Sequence, residues 1–138
     1  MEVVVDADCL IAGTIASGGA CSELLDRWQG GEFELIACPL LLRELEKALL
    51  HPRISGKYGL SRHEVYAAID LLRRGSLLAA DPVDPPRVVP DDPNDDYLAA
   101  LALASDAEAL VTRDQHFEKV KIAGVDILTP GRFLRRLG

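Results

Sequence analysis

Short apolar runs alternate with longer amphipathic segments along the whole chain. Val3-Val4-Val5 is a β-branched run typical of a buried strand, and apolar segments at 33–38, 77–80, 110–111 and 125–128 predict further strands. Helices are predicted at 22–29, from 39 to about 50, after Ser61, at 97–104 and after Thr129. This alternation is typical of an α/β fold, in which helices cover both faces of a parallel sheet. The length of 138 residues suits a single domain, 1–138.

Particular residues mark where the predicted helices begin and end. Pro39 suits a first helical turn, and His51-Pro52 ends the helix that it begins. Ser61 and Glu64 have the spacing of a capping box, and Thr129-Pro130 is a start signal for the last helix. The segment 81–93 contains five prolines and is predicted to be a surface loop.

The charge balance is acidic overall. The chain has 22 Asp and Glu against 15 Lys and Arg, which gives a net charge of -7. Proteins that bind nucleic acid by neutralising its phosphates usually have a basic surface. Therefore either nucleic acid is not the ligand, or bound cations and local arginines reverse the balance at the site.

The sequence predicts a cytoplasmic protein with no membrane segment. No basic segment followed by an apolar stretch begins the chain, and the longest apolar run, 97–104, is too short to span a bilayer. Cys9, Cys21 and Cys38 lack CxxC spacing, so we expect reduced thiols that pack as small core residues.

Asp6 is the most informative acidic residue, because it ends the buried run Val3-Val4-Val5. The carboxyl ends of strands in open α/β sheets border the crevice in which ligands bind. A carboxylate there is costly without a partner, which indicates a metal ion or a catalytic task. The alternative is a structural Asp that caps the following helix.

Further acidic residues lie at the ends of other predicted elements. Glu44 flanks the apolar face of its helix, where the alternative is a solvated residue paired with Lys47. Asp95 is expected at the inner edge of the first turn of the 97–104 helix, and Asp96 is rotated away by about 100°. Asp114 follows the strand at 110–111. Helix capping, the helix dipole and turn formation are the structural alternatives for these acids.

A parallel sheet would bring these acids to one edge. Asp6 and Asp114 would follow adjacent strands, and the helices of Glu44 and Asp95 would start from the same edge. Several carboxylates within a few Å raise one another's pKa values unless a divalent cation is present. Hard oxygen ligands suit Mg²⁺ or Mn²⁺, which lowers the pKa of a bound water and stabilises charge on a pentacovalent phosphate. The constellation indicates metal-dependent phosphodiester hydrolysis.

Four motifs in this order resemble a PIN domain of the bacterial branch that contains toxin components of toxin–antitoxin systems, related to VapC-type ribonucleases. They are Val-Val-Val-Asp6-x-Asp8, Cys38-Pro39-Leu40-Leu41-Leu42-Arg43-Glu44-Leu45, Asp92-Pro93-Asn94-Asp95-Asp96-Tyr97-Leu98 and Leu110-Val111-Thr112-Arg113-Asp114. Each motif alone is weak, but their joint order and spacing are specific, and the likeness covers essentially the whole chain.

The resemblance implies a three-layer α/β/α sandwich with a central, mostly parallel sheet, and endoribonuclease activity with Mg²⁺ or Mn²⁺. The family's four acids correspond to Asp6, Glu44, Asp95 and Asp114. The resemblance implies that Asp6 and Asp95 ligate the cation directly, and that Asp114 and Glu44 ligate through water or orient the nucleophile. Thr112 corresponds to a Ser/Thr that supports the first acid through a hydrogen bond.

Two positions depart from the family pattern or are ambiguous in it. Asp8 stands where the family usually has Asn, so it either adds a ligand or faces away. Asp96 replaces Asp95 as the third acid if the preceding loop is shifted by one residue. The resemblance also implies RNA as substrate, a small antitoxin as partner and self-association as a homodimer or larger homo-oligomer. Surface arginines such as Arg113 are candidates for binding RNA phosphates.

Two other functions compete with this hypothesis. Asp6-x-Asp8 after an apolar run also resembles the opening motif of haloacid-dehalogenase-type phosphatases, in which the first Asp is a nucleophile. The later motifs come in the wrong order for that class, since the acidic pair Asp95-Asp96 precedes Thr112. The second alternative is a non-catalytic PIN-like module that binds a protein, against which the presence of all four acids argues.

Overall fold

A computed structural model describes residues 1–83, 96–117 and 119–138 of the chain. Within these residues, a sheet contains five strands: β1 (Glu2–Val5), β2 (Glu34–Ala37), β3 (Leu77–Leu78), β4 (Ala109–Val111) and β5 (Asp126–Leu128). The helices are α1 (Ala7–Ile15), α2 (Ala20–Gln29), α3 (Pro39–Leu50), α4 (Pro52–Tyr58), α5 (Arg62–Gly75), α6 (Asp96–Ala104) and α7 (Pro130–Leu137). The loop predicted at 81–93 lies outside the described residues from position 84 onward.

The sheet is parallel throughout, in the order β3-β2-β1-β4-β5. The chain moves outward from β1 through β2 to β3, and then returns to the other side of β1 to form β4 and β5. The strand order therefore reverses between β1 and β4, and the crevice at the carboxyl ends of these two strands is the favoured ligand site of such folds.

Helices lie on both faces of the sheet. Helix α1 contacts α2 and α3, while α3 contacts α5 and α2 contacts α7. Helix α6 instead packs against strands β1 and β4. Right-handed crossovers place α6 on the face opposite α1 and α3, because the chain crosses the sheet in the opposite direction. The predicted three-layer α/β/α sandwich is confirmed.

The sequence signals for helix ends are confirmed. Helix α3 begins at Pro39 and ends at Leu50, and the capping box at Ser61 and Glu64 forms both of its hydrogen bonds. Thr129 caps α7 by accepting a hydrogen bond from the Arg132 N–H at 3.3 Å. Since apolar periodicity does not mark the first turn sharply, α2 begins two residues earlier than predicted, at Ala20.

Two elements differ from expectation because they bury little apolar surface. Strand β3 is shorter than the predicted 77–80, and both of its residues are exposed at the sheet edge. Helix α4 has no counterpart in the sequence prediction, since it has no buried residue and therefore no apolar stripe. Across the described ranges, every helix is too short or too polar to cross a bilayer.

The N-terminus of α3 is capped by a residue distant in sequence. Cys38 occupies the N-cap position without a side-chain capping bond, whereas the Asp81 carboxylate accepts a hydrogen bond from the Leu40 N–H at 2.8 Å. A second Asp81 oxygen lies 3.6 Å from the Arg43 guanidinium. Asp81 thereby fixes the start of the helix that carries Glu44.

We expect Asp81→Ala to lower the free energy of unfolding by about 1 kcal/mol, because the partly buried Leu40 N–H of the first helical turn loses its acceptor. Urea denaturation monitored by circular dichroism measures this change. Asp81→Asn is the matched control, since its amide oxygen can still accept from Leu40, and it should retain most of the stability. Equal losses in the two variants would show that capping is not the role of Asp81.

Candidate functional site

Asp6 lies at the junction of β1 and α1, at the edge where the strand order reverses. Its N–H donates to the Val111 carbonyl of β4 at 3.0 Å, which continues the pairing of the two strands by one residue. One carboxylate oxygen, Oδ1, accepts from the Cys9 N–H at 2.8 Å and so caps α1. The capping role considered from the sequence is therefore present, and it fixes the position of one Asp6 oxygen.

Thr112 connects Asp6 to the end of the neighbouring strand. Val5 pairs with Val111, so Asp6 and Thr112 stand at the same level of the parallel sheet. The buried Thr112 hydroxyl donates to Asp6 Oδ2 and accepts from the Asp114 N–H at 2.9 Å. One hydroxyl group thus orients the first carboxylate and the backbone that carries the fourth.

Asp114 is half-buried and turns its carboxylate toward the following residues. Its Oδ1 accepts from the His116 N–H at 2.8 Å and lies 3.1 Å from His116 Nδ1. From the sequence, His116 had no assigned role. The spacing of Asp114 and His116, two residues apart, is that of an Asx turn, and this signal could have predicted the contact.

The electrostatic environment of Asp6 is unfavourable for its charge. Burial raises the pKa of Asp6, and the nearby charges of Asp8 and Asp114 raise it further, whereas the hydrogen bonds from Thr112 and Cys9 lower it. The net result is a raised pKa for Asp6, because burial is the largest of these effects and only 5% of the residue surface is exposed. A carboxylate whose charged form is destabilised in this way, in the crevice where such folds bind ligands, is a candidate functional residue.

The raised pKa of Asp6 predicts a pH effect on stability. Because the folded pKa lies above the ordinary value of 3.8, the protonated carboxyl favours folding below that value, and this contribution is lost as pH rises through the folded pKa. In metal-free buffer, we therefore expect the melting temperature of wild type to fall relative to Asp6→Asn as pH rises from acid to neutral. Differential scanning fluorimetry of both proteins across this range tests it, and a constant difference would contradict it.

The remaining predicted acids are placed less completely. Glu44 is half-buried on α3, which starts at the carboxyl edge of the sheet. Asp96 opens α6 and is only 1% exposed, and α6 packs against both β1 and β4. Asp95 lies outside the described residues, so the choice between Asp95 and Asp96 as third acid stays a prediction.

The described residues supply only part of a metal-binding group. Among residues 1–83, 96–117 and 119–138, no three His, Cys, Asp or Glu side chains converge closely enough to hold an ion. Asp6 and Asp114 are nevertheless joined through Thr112, and their oxygens are the hard donors that Mg²⁺ and Mn²⁺ prefer. This pair of oxygen donors fits one side of a divalent-cation site.

Asp8 forms an ion pair with Arg113 at the surface. Its Oδ2 accepts from Arg113 Nε at 3.1 Å and from Nη2 at 2.8 Å. This pairing fixes the guanidinium of Arg113, which lies between Thr112 and Asp114 in the chain, and partly compensates the negative charge of Asp8. Whether Asp8 also ligates an ion stays untested, but its charge is close enough to influence the pKa of Asp6.

The cysteines are structural neighbours of the site. Cys9, Cys21 and Cys38 are all buried free thiols, as predicted. Cys9 Sγ lies 3.1 Å from Cys21 Sγ where α1 meets α2, and burial raises the pKa of Cys9 above the ordinary thiol range. Both features keep the Cys9 thiol protonated, so Cys9 serves as a packing residue in the first turn of α1, where Asp6 caps the helix.

The comparison with known proteins agrees with this architecture. A family model described as the PIN domain matches residues 2–116, which is most of the chain. No curated protein matches the sequence. The chain therefore belongs to the PIN domain family through its family-model match, and PIN domains are typically nucleases.

Two solved structures share the fold over nearly the whole chain. PAE2754 from Pyrobaculum aerophilum superimposes with a TM-score of 0.67 and 22% identity, covering 99% of this chain and 89% of that chain. VapBC2 from Rickettsia felis, in a structure bound to a DNA fragment from their promoter, gives a TM-score of 0.62 and 12% identity. That alignment covers 92% of this chain and 98% of the other. At these identities the likeness concerns the fold.

Proposed function

We propose that this protein is a metal-dependent endoribonuclease and the toxin component of a toxin–antitoxin pair. The observation that carries the proposal is the Asp6–Thr112–Asp114 unit at the point where strand order reverses. It combines a buried carboxylate of raised pKa with a second acidic residue, whose backbone N–H donates to the same hydroxyl. A divalent cation would offset the electrostatic cost that the protein otherwise bears at this position.

Asp6, Asp114 and a carboxylate at the start of α6 would hold Mg²⁺ or Mn²⁺, with Asp95 as the third ligand and Asp96 as its alternative. When bound, the cation supplies positive charge that lowers the pKa of a nearby water and stabilises the charge developing on the phosphate. Each Asp6 oxygen keeps a free lone pair after its hydrogen bond, since a carboxylate oxygen can accept twice.

The other side chains of the site have separate roles in positioning, proton transfer and RNA binding. Thr112 positions the carboxylate of Asp6 and the backbone of Asp114. Asp114 and Glu44 would orient the attacking water, and one of these two carboxylates would accept its proton. As the water oxygen bonds to phosphorus, the opposite P–O bond breaks, and the leaving oxygen takes a proton from solvent. No side chain forms a covalent intermediate in this mechanism. Arg113, held by Asp8, provides a cation for the approaching RNA backbone.

The partners follow from the family and from one structural neighbour. VapBC2 of Rickettsia felis is a complex bound to promoter DNA, and its fold covers 92% of this chain. We infer by this likeness that a small antitoxin binds the present protein, and that the pair acts in the cytoplasm. Self-association as a homodimer or larger homo-oligomer is part of the same proposal.

Cleavage of a mixed-sequence RNA pool tests the activity. Wild type should cleave the pool with Mg²⁺ or Mn²⁺ and lose activity in EDTA, and a DNA pool of the same sequences tests the preference for RNA. Mn²⁺ should also raise the melting temperature of wild type but not of Asp6→Asn. Cleavage that persists in EDTA would overturn the metal requirement, and a stable phosphorylated Asp6 would favour a phosphatase.

A further inference from the structure

A cavity of about 470 Å³ opens directly beside the candidate active site. Its lining includes Thr112 and Asp114 of the candidate site and residues from β5, from the start of α7 and from the segment between Phe117 and Val125. Pockets of roughly 300–1,000 Å³ hold small organic ligands. The cavity therefore has room for one nucleotide-sized group in contact with Asp114.

Part of the cavity lining is an apolar wall that includes a hydrogen-bonded turn. It is formed by aliphatic and aromatic side chains of the 117–128 region: Phe117, Val120, Ile122, Val125, Ile127 and Leu128. The turn from Ile122 to Val125 is closed by a hydrogen bond from the Val125 N–H to the Ile122 carbonyl at 3.1 Å. Gly124 occupies the left-handed region of this turn, with φ of 77°. These apolar side chains give the cavity a surface against which a nucleobase can pack.

Two cations line the same cavity. Lys121 and Arg132 are both exposed lining residues, and no acidic side chain within the described ranges forms an ion pair with either one. The acidic residue Asp126 also lines the cavity, but its Oδ2 lies 2.6 Å from Arg136 Nη1. Apart from Asp114, the lining of the cavity therefore has an excess of positive charge in an otherwise acidic protein.

We propose that this cavity is a nucleotide subsite, which binds the nucleoside next to the scissile phosphate and the phosphate that follows it. The inference rests on the proposed function for the position of the scissile phosphate at Asp6 and Asp114. In this arrangement the base packs against the apolar wall, and Lys121 and Arg132 bind the phosphate that follows the nucleoside. Recognition of the base by an aliphatic wall selects by shape, so it gives a modest sequence preference.

The first arm of the test measures cleavage of a fluorescent RNA oligonucleotide by wild type and by the double variant Lys121→Ala/Arg132→Ala. We expect KM to rise about 10-fold with kcat changed less than about threefold, because two exposed charge contacts are lost. The salt dependence of log KM should flatten by about 0.7 for each phosphate contact removed. Lys119→Ala is the matched control, since Lys119 is an exposed lysine outside the cavity lining.

The second arm measures binding without cleavage. Methyl NMR of wild type in EDTA, titrated with nucleoside 5′-monophosphates, should shift the signals of Ile122 and Ile127, whereas Ile54 on α4 should not move. Unchanged KM and salt dependence in an active double variant would overturn the subsite and leave the ribonuclease standing. If wild type cleaves no RNA, the proposed function fails. In that case nucleotide binding is judged from the methyl signals of Ile122 and Ile127 alone, and the absence of shifts overturns the subsite.

Discussion

Asp6→Asn should lower the rate of RNA cleavage by about 10²- to 10³-fold, since the cation loses a charge interaction of a few kcal/mol. The substitution preserves the shape of the side chain. The Asn oxygen can still accept from the Cys9 N–H, because Asn is as good an N-cap as Asp. The fold should therefore survive, and the loss of activity should reflect the missing charge.

Three measurements separate this explanation from a folding defect. Circular dichroism should show an unchanged helical content, and the neutral-pH melting temperature in EDTA should equal or exceed that of wild type, because a buried charge has been removed. Asp26→Asn, an exposed acid on α2, controls for the overall change in net charge. If Asp6→Asn kept wild-type turnover while folded, the candidate site would be wrong.

The sequence predicted the elements whose ends carry strong local signals. Helix α3 begins at its proline and ends before His51-Pro52, where backbone constraints alone set the bounds. Strand β1 was recognisable because its β-branched residues are buried on both sides, as in a central parallel strand. Helix α4 was not recognisable, since nothing in a solvent-exposed seven-residue helix forms an apolar pattern.

The candidate site was predictable in residue type but not in its connections. Thr112 and Asp6 are 106 positions apart, and they meet only because β4 lies beside β1. The same limit applies to Asp81, which caps a helix that begins 42 positions earlier, at Pro39. Helical phase placed Asp96 about 100° away from the buried edge of α6, and this placement was wrong, because Asp96 is only 1% exposed. The phase was a weak guide, since nearly all residues of α6 after Asp96 are apolar.

Thr112→Val should impair both activity and stability, because one hydroxyl serves two partners in the site. The change leaves Asp6 Oδ2 without its buried donor and the Asp114 N–H without its acceptor, while the volume of the side chain is preserved. An unsatisfied buried group costs about 1–3 kcal/mol, so urea denaturation should show a loss of this size. Loss of a partner that orients a metal ligand typically costs about 10- to 100-fold in activity.

Thr112→Ser distinguishes positioning from packing. Serine keeps the hydroxyl and removes a methyl group, so it should restore most of the cleavage rate while remaining less stable than wild type. Both variants are assayed at a temperature well below their unfolding transitions, so that the rates report on folded protein. If Ser and Val lose activity equally, the hydroxyl does not orient the carboxylates. If Val alone loses activity, the Thr112 hydroxyl orients the site through its hydrogen bonds with Asp6 and Asp114.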